Sequence, residues 1–397
     1  MSHHDQPLTL LGDLTASEFL THYWQQKPLL IRGALPEFLS PIDADELAGL
    51  ACEDGVEARL VEEHGQDASG RPQPWQVTHG PFDEATFERL PERDWTLLVQ
   101  AVDHYVPAVA GLMEHFDFLP RWRLDDIMIS YAPPGGSVGP HVDQYDVFLL
   151  QATGRRRWQL GGKIADDAPI LSGIDLRILE HFEIEAGSDW VLEPGDMLYL
   201  PPAWAHHGVS QSDDCMTISV GFRAPSADEA VTSYADYIGE QLPPSLRYSD
   251  AGMQVPNEPG EIDDAAMERI RRMILETLDD PARMSQWFGR VMTQPKYVDQ
   301  LIPPAQPMDE TTLVARLQEG ERLYPSPGSR FAWRTQGSRT TLFVDGDGLP
   351  CSEELAKRLS AGNAITADVA AIEGAPALLV TLFNAGSIDW PMEDLEE

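Results

Sequence analysis

The chain has 397 residues, and 28 Lys plus Arg stand against 65 Asp plus Glu, giving a formal net charge of −37 at pH 7. This length allows two or three domains, and a hydrophobic content of 42% excludes wholesale disorder. So acidic a surface repels a nucleic-acid backbone, which argues against direct DNA or RNA binding.

The same counts indicate the setting in which the protein works. The sequence has no apolar run of membrane-spanning length and no signal-peptide pattern at its start, so we expect a cytoplasmic protein without a membrane partner. Cys52, Cys215 and Cys351 are too far apart for a zinc spacing and predict reduced thiols. The acidity fits either a salt-adapted surface or the steering of a basic partner.

The first 120 residues mix helix and strand signals. Ser17 is a candidate cap for an opening helix in which Phe19 and Trp24 are part of an apolar face. The other predicted elements are a buried strand at 27–33, a helix at 43–51, a strand region at 56–80 around an exposed loop at 65–74, and an amphipathic helix at 94–116.

Short β runs broken by Gly and Pro follow from residue 124 to residue 224. This spacing is typical of an antiparallel sandwich or barrel. The predicted strands lie within 126–132, 141–151, 155–160, 189–202 and 216–222.

The remaining third of the chain is predominantly helical. Helices are predicted at 229–242, 265–280 and 281–294, and linkers rich in Pro lie at 243–264 and 303–307. The mixture of short helices and strands beyond the second linker is typical of a winged-helix-like unit.

One candidate site lies in the β-rich region. On a strand, residues i and i+2 share a face, so His141 and Asp143 would present an imidazole and a carboxylate together. A third ligand from another strand would complete the 2-His-1-carboxylate triad, which leaves coordination positions open on Fe(II). Those positions take a bidentate 2-oxo acid and then O₂.

The surrounding sequence strengthens this interpretation. A Gly/Pro loop, APPGGSVGP, precedes His141, and LEPGDMLYLPPAW leads into His206 and His207. This order of strands and turns predicts a double-stranded β-helix, the cupin fold. In extended backbone only one of the two adjacent histidines can point inward, and the spacing alone does not choose between them.

A 2-oxo dicarboxylate also needs a cation for its distal carboxylate, and RRRW offers three arginines. Alternation puts Arg156 on the face of Trp158, which is apolar enough to face inward. Arg155 and Arg157 would then lie on the solvated strand edge, where charge deters aggregation.

These motifs carry a resemblance that covers nearly the whole chain. The segments HYWQQKPLLIRG, PGGSVGPHVDQYDVFLLQATGRRRWQL, LEPGDMLYLPPAWAHHG and SVGFRAP resemble the bacterial ribosomal oxygenases of the JmjC type. The resemblance implies an α+β fold: a JmjC/cupin oxygenase domain with N-terminal α/β decoration at 1–225, a helical dimerisation segment at 226–302, and a winged-helix-like domain at 303–397.

The resemblance also implies an activity. Family members use Fe(II), O₂ and 2-oxoglutarate to hydroxylate the β-carbon of an arginine in large-subunit ribosomal protein number 16. This implies a basic ribosomal protein as substrate and a homodimeric enzyme. The residues that match family positions are the iron ligands His141, Asp143 and His206, the 2-oxoglutarate partner Arg156, and the substrate neighbours Asp125, Tyr145 and Ser219.

The sequence departs from the family pattern before the third ligand. The family often has PxGxPH where this chain has PPAWAHH, a change that bears on the third ligand and on the entrance to the site. The resemblance favours His206, which leaves His207 a solvent-facing or supporting role. Asp146 is expected to orient a ligand histidine.

Three other functions remain open from the sequence. A cupin without activity could dock on ribosomal components through its acidic face. A JmjC-type lysine demethylase would need an aromatic cage for a methylated ammonium, for which Tyr131, Tyr145 and Trp204 are candidates. A cupin isomerase could use the same ligands for zinc or manganese.

Overall fold

The computed structural model describes residues 6–63, 75–165 and 167–391. The chain divides into two compact units, Met1–Ala224 and Pro225–Glu397. The predicted loop at 65–74 lies outside the described residues, and the predicted boundary near residue 302 stays a prediction. None of the helices in the described ranges is both long and apolar enough to cross a bilayer.

The first unit begins with alternating short helices and strands. Their bounds are β1 (Pro7–Leu8), β2 (Leu14–Thr15), α1 (Ala16–His22), β3 (Leu29–Ile31), α2 (Ala44–Cys52), β4 (Ala58–Glu63), β5 (Trp75–His79), α3 (Glu84–Glu88), β6 (Trp95–Val99) and α4 (Pro107–Ala110). Short 3₁₀ helices lie at Thr9–Leu11, Val102–His104, Gly111–Phe116 and Arg121–Arg123.

Seven antiparallel strands complete this unit. They are β7 (Leu124–Ala132), β8 (Asp146–Thr153), β9 (Arg156–Lys163), β10 (Asp189–Leu192), β11 (Met197–Leu200), β12 (Trp204–Ser210) and β13 (Cys215–Phe222). Among the described residues, a large sheet has the order β3-β11-β8-β13-β7-β6-β4-β5 and a small sheet the order β10-β9-β12. This is the double-stranded β-helix that the sequence predicts.

The N-terminal caps follow ordinary helix chemistry. Thr15, not Ser17, caps α1, because its hydroxyl accepts from the Glu18 amide while the Glu18 carboxylate accepts from the Thr15 amide. Asp43 caps α2 in the same reciprocal way with Glu46, as the short helix predicted there requires.

The predicted helix at 94–116 is wrong. Trp95–Val99 form β6, which pairs with β4 and β7 in the large sheet, and short 3₁₀ and α turns follow it. The run WTLLV is apolar without interruption, a pattern that suits a strand covered on both faces as well as a helix. Burial between two strands decided the outcome.

Aromatic packing holds the outer face of the large sheet against the N-terminal segment. Phe19, Phe148 and Tyr199 are fully buried, and the Tyr199 ring lies 5.0 Å from Phe19 and 4.8 Å from Phe148, centroid to centroid. Because strand side chains alternate, Val147 and Leu149 point to the other face, where they line a cavity. The outer core thus supports the wall of the site.

The second unit is a helical segment followed by a mixed α/β part. Its elements are α5 (Ala227–Gly239), α6 (Asp264–Leu278), α7 (Pro281–Thr293), α8 (Glu310–Gln318), β14 (Tyr324–Pro325), β15 (Phe331–Gln336), β16 (Arg339–Val344), β17 (Asp347–Cys351), α9 (Glu353–Leu359), α10 (Ala367–Ala370), α11 (Ala375–Asn384) and β18 (Ile388–Asp389). A 3₁₀ helix lies at Val298–Gln300. The sheet β15-β16-β17 and helices α8–α11 enclose a separate core.

Candidate active site

His141, Asp143 and His206 lie together in the first unit. One ligand atom from each lies within 4.8 Å of the others, a spacing that a single metal ion can bridge. The His206 Nε2 atom is 3.6 Å from Asp143 Oδ2, and the two imidazole rings are 4.2 Å apart between centroids. Two imidazoles and one carboxylate form the donor set that suits Fe(II).

The backbone brings these residues together in a way that the sequence did not predict. His141 and Asp143 precede β8 and are not in a regular strand. Instead, His141 and His206 exchange two amide-to-carbonyl hydrogen bonds of 3.0 Å, and the Ala203 amide donates to the Asp143 carbonyl at 2.7 Å. These three bonds place the side chains side by side.

Hydrogen bonds also set the tautomer of both histidines. The Nδ1 atom of His141 lies 2.9 Å from the Gly139 carbonyl, and that of His206 lies 2.9 Å from the Trp204 carbonyl. A carbonyl oxygen can only accept, so each Nδ1 carries the proton. The Nε2 lone pairs are thereby left for a metal.

Burial distinguishes His206 from its neighbour His207. His206 is 2% exposed, and burial, with the nearby His141 second, lowers its pKa to about 4, which keeps the imidazole neutral as a metal ligand requires. His207 is half-buried and points elsewhere: its Nε2 lies 3.1 Å from the Ser137 hydroxyl. The structure places His206 in the cluster and His207 outside it.

A cavity of about 510 Å³ opens beside the triad. Both sheets and the loop between β9 and β10 line it, and its walls include Arg156, Tyr145 and Ser219, which the sequence analysis singles out. Asp125 does not line this cavity. It lies close enough to Tyr145 to act on the phenol electrostatically.

Arg156 supplies the clearest test of whether a dicarboxylate fits. Its side chain is inside the barrel and 4% exposed, while Arg157 is exposed and pairs with Asp189, as alternation along β9 predicts. The Arg156 Nε and Nη2 atoms are buried and have no hydrogen-bond partner among the described residues. A buried guanidinium needs acceptors, and a carboxylate matches its planar fork.

Tyr145 stands at the rim, 42% exposed. The Asp143 carboxylate, together with burial and the carboxylates of Asp126 and Asp125, raises the pKa of this phenol. Tyr145 therefore stays protonated beside the carboxylate of the triad.

Asp146 does not orient a ligand histidine. It is fully buried, accepts from the Tyr199 hydroxyl at 2.7 Å and the Gln25 amide nitrogen at 2.9 Å, and pairs with Arg123 at 3.0 Å. These partners lie on the aromatic side of the sheet, so Asp146 joins Gln25 of the N-terminal segment to β8.

Several cavity residues carry no signal in the sequence. Arg59 comes from β4, and Asp175 and Arg177 come from the loop between β9 and β10. The carboxylate of Asp175 contacts His79 Nε2 at 2.9 Å, which ties this loop to β5. That Thr217 lines the cavity could have been predicted from the sequence, because it lies on the same face of β13 as Ser219.

Gly208 is predicted to be needed for the shape of the site. A Cβ atom there would lie 2.6 Å from the ring of Trp158, which is buried and packs 5.8 Å from the His206 ring between centroids. Gly208→Ala is expected to destabilise the fold by about 1–3 kcal/mol and to lower turnover by displacing both rings. Thermal unfolding and succinate formation would measure the two effects.

The matched control is Gly162→Ala on β9, where a Cβ would meet no atom within 4 Å. If both variants behaved alike, the contact with Trp158 would not be what requires glycine.

Ala203 is one of the residues at which this chain departs from the family pattern. It occupies the glycine position of PxGxPH and has φ of +65°, the left-handed region that favours glycine. Ala203→Gly is expected to stabilise the fold by up to about 1 kcal/mol, since relief of this strain exceeds the entropy gained by the unfolded chain. Denaturant unfolding would measure the gain.

The control is Ala205→Gly, two residues along in β12, where the backbone is extended and the methyl group is fully buried. That variant should lose stability, and a loss in both variants would contradict the strain argument.

Comparison with known proteins gives consistent matches. A family model described as a JmjC domain matches residues 111–230, and one described as a ROXA-like winged helix matches residues 276–389. The ribosomal protein uL16 3-hydroxylase of Escherichia coli K12 is 40% identical over 317 residues, which cover 79% of this chain and 80% of that protein.

Solved structures agree with this match. The X-ray structure of E. coli ycfD superposes with a TM-score of 0.85 at 36% identity, covering 95% of this chain and 98% of that one. A second structure, of the ribosomal oxygenase YcfD from E. coli in complex with cobalt and 2-oxoglutarate, matches with a TM-score of 0.82 at the same identity and coverage.

Proposed function

This chain belongs to the family of bacterial JmjC ribosomal oxygenases, and on that premise we propose that it hydroxylates the β-carbon of an arginine in ribosomal protein uL16. The enzyme class is a 2-oxoglutarate-dependent protein hydroxylase. The observation that supports it best is the pairing of an open two-histidine, one-carboxylate cluster with a buried arginine that lacks an acceptor.

His141, Asp143 and His206 would hold Fe(II) through two Nε2 atoms and one carboxylate oxygen. Iron, when bound with O₂ and 2-oxoglutarate, supplies the oxidant that inserts one oxygen atom into a C–H bond, and succinate and CO₂ leave. Arg156 binds the distal carboxylate of the co-substrate, which fixes its orientation. Trp158 and the apolar walls Val147 and Leu149 exclude water from the reacting atoms.

Substrate binding falls to the rim of the cavity. We assign Tyr145 and Ser219 to the target side chain because both line the cavity beside the triad. Asp125 lies outside the lining and would contribute negative charge near the entrance, where a guanidinium is attracted. The net charge of −37 favours the approach of a basic ribosomal protein and argues against direct nucleic-acid contact. A ribosomal client and three free cysteines support a cytoplasmic location.

The alternative functions fit the cavity less well. A demethylase would need an aromatic cage, but Tyr131 and Trp204 are not among the residues that line this cavity. A module that only binds would have no use for two histidines and a carboxylate at metal-binding distance beside an inward arginine.

The deciding experiment incubates the full-length protein with Fe(II), 2-oxoglutarate, O₂ and uL16. Mass spectrometry is expected to show the gain of one oxygen atom on one arginine, in step with succinate formation. Succinate formation that depends on metal, without any modified arginine, would overturn uL16 as the substrate while leaving the enzyme class. Loss of a methyl group from lysine would overturn hydroxylation.

We further propose that the enzyme is a homodimer joined through the helical segment. Large apolar side chains on α6 and α7 face solvent in one chain, namely Met267, Ile274, Leu275, Met284 and Phe288. Exposed apolar surface of this kind marks an interface, and the family resemblance assigns a second copy to it.

Ile274→Glu is expected to convert the dimer to a monomer, because it puts a charge in the interface. Sedimentation velocity would report the change. Leu39→Glu, an exposed position in the first unit, is the control and should stay dimeric. A monomeric wild type would contradict the proposal.

A further inference from the structure

The helical segment contains a second cavity, far in sequence from the catalytic residues. It measures about 660 Å³ and lies between the loop at 242–249, the second half of α6 and the start of α7. Four arginines line it, namely Arg247, Arg269, Arg272 and Arg283. Four guanidinium groups around one cavity are unusual in a chain with 28 basic and 65 acidic residues.

Arg269 shows that the cavity lacks an acceptor. Its Nη1 atom is buried and has no hydrogen-bond partner among the described residues. Three carboxylates, those of Glu276, Asp279 and Asp280, also line the cavity but leave this nitrogen without a partner. Asp280 accepts from the amides of Ala282 and Arg283 and pairs with the Arg283 guanidinium at 3.3 Å. A buried N–H without an acceptor is unfavourable, so a bound group with oxygen atoms would stabilise this arrangement.

A tyrosine behind the cavity joins the two helices that line it. The Tyr234 hydroxyl lies 2.9 Å from the Leu278 carbonyl and 3.3 Å from that of Asp280, which fixes the corner between α6 and α7. The first residue of α7, Pro281, lines the cavity, so the positive end of this 13-residue helix lies at its wall. The Asp280 carboxylate already caps this end, so the four arginines, and not the helix, favour an anionic ligand.

Part of the proposed dimer face lies on the side of α6 opposite the cavity. With 3.6 residues per turn, Arg269, Arg272 and Glu276 fall on one side of α6, while Met267 and Ile274 fall on the opposite side. Leu275, also on the proposed dimer face, lies about 60° from Arg272 around α6, so the two surfaces meet along one edge of the helix.

We propose that this cavity binds a small multivalent anion bearing phosphate or carboxylate groups. Arginine recognises both through paired N–H donors, and the volume lies in the range of small-molecule sites. The bound anion would join the loop at 242–249 to α6 through Arg247 and Arg269.

The test uses the full-length chain with two probes, inorganic phosphate and tricarballylate, which separate the two chemistries. Thermal unfolding is measured against NaCl of equal ionic strength. One of the probes is expected to raise the unfolding midpoint beyond NaCl, and Arg269→Gln should weaken that binding about tenfold or more. Arg334→Gln, an exposed arginine in the same unit, and Arg156→Gln should bind as the wild type does.

Three outcomes would overturn the proposal. If neither probe raised the unfolding midpoint more than NaCl does, only charge screening would act on the acidic chain. If Arg156→Gln abolished the effect of the probe, the anion would occupy the catalytic cavity. If Arg269→Gln changed the association state in sedimentation but not probe binding, the arginines would belong to a subunit interface.

Discussion

Asp143→Ala is expected to abolish hydroxylation and to weaken metal binding at least a hundredfold. Loss of groups that merely support a ligand lowers metal affinity or activity by about 10- to 100-fold, and Asp143 would be a ligand itself. It provides the only carboxylate of the cluster formed by the described residues. Succinate formation, the mass of uL16 and titration with Mn(II) would measure the loss.

Asp175→Ala is the matched control. Asp175 also lines the cavity but lies outside the three-residue cluster. It should bind metal as the wild type does. Wild-type metal affinity in Asp143→Ala would rule out the proposed ligand set.

Arg156→Gln is expected to raise the KM for 2-oxoglutarate by about a hundredfold or more. Two hydrogen bonds between a guanidinium and a carboxylate are lost, each worth about 1.5–3 kcal/mol. Without co-substrate the same variant should be as stable as the wild type or more stable, because Arg156 is buried with two unpaired nitrogen atoms. A variant that binds the co-substrate more weakly but is no less stable identifies a residue whose role is binding and not folding.

Arg157→Gln provides the comparison, since this neighbour is exposed and paired with Asp189. It should leave the KM for 2-oxoglutarate unchanged. An Arg156→Gln enzyme with a normal KM would assign the distal carboxylate to another cation, of which Arg59 and Arg177 line the same cavity.

Local pattern alone determined much of this protein. Alternation along β9 predicted that Arg156 faces inward and Arg157 outward, because successive side chains of a strand point to opposite faces. The order of short strands, the PGD turn within LEPGDMLYLPPAW and the histidine that follows predicted the barrel. Turns of this kind can be predicted because a few neighbouring residues determine them. The helices of the second unit followed from apolar spacing for the same reason.

Tertiary structure decided what depends on contacts between distant segments. WTLLV became β6 because two neighbouring strands bury it, and no property of those five residues alone excludes a helix. Asp146 became part of a buried pair with Arg123 because the 3₁₀ turn before β7 lies beside the start of β8. His141 and Asp143 are close to His206 through reciprocal backbone bonds and not through the strand alternation that predicted them. The sequence gives the type and local spacing of the side chains. The packing of the two sheets decides which of His206 and His207 faces the cavity, and it also brings Arg59 and Arg177 to the cavity wall.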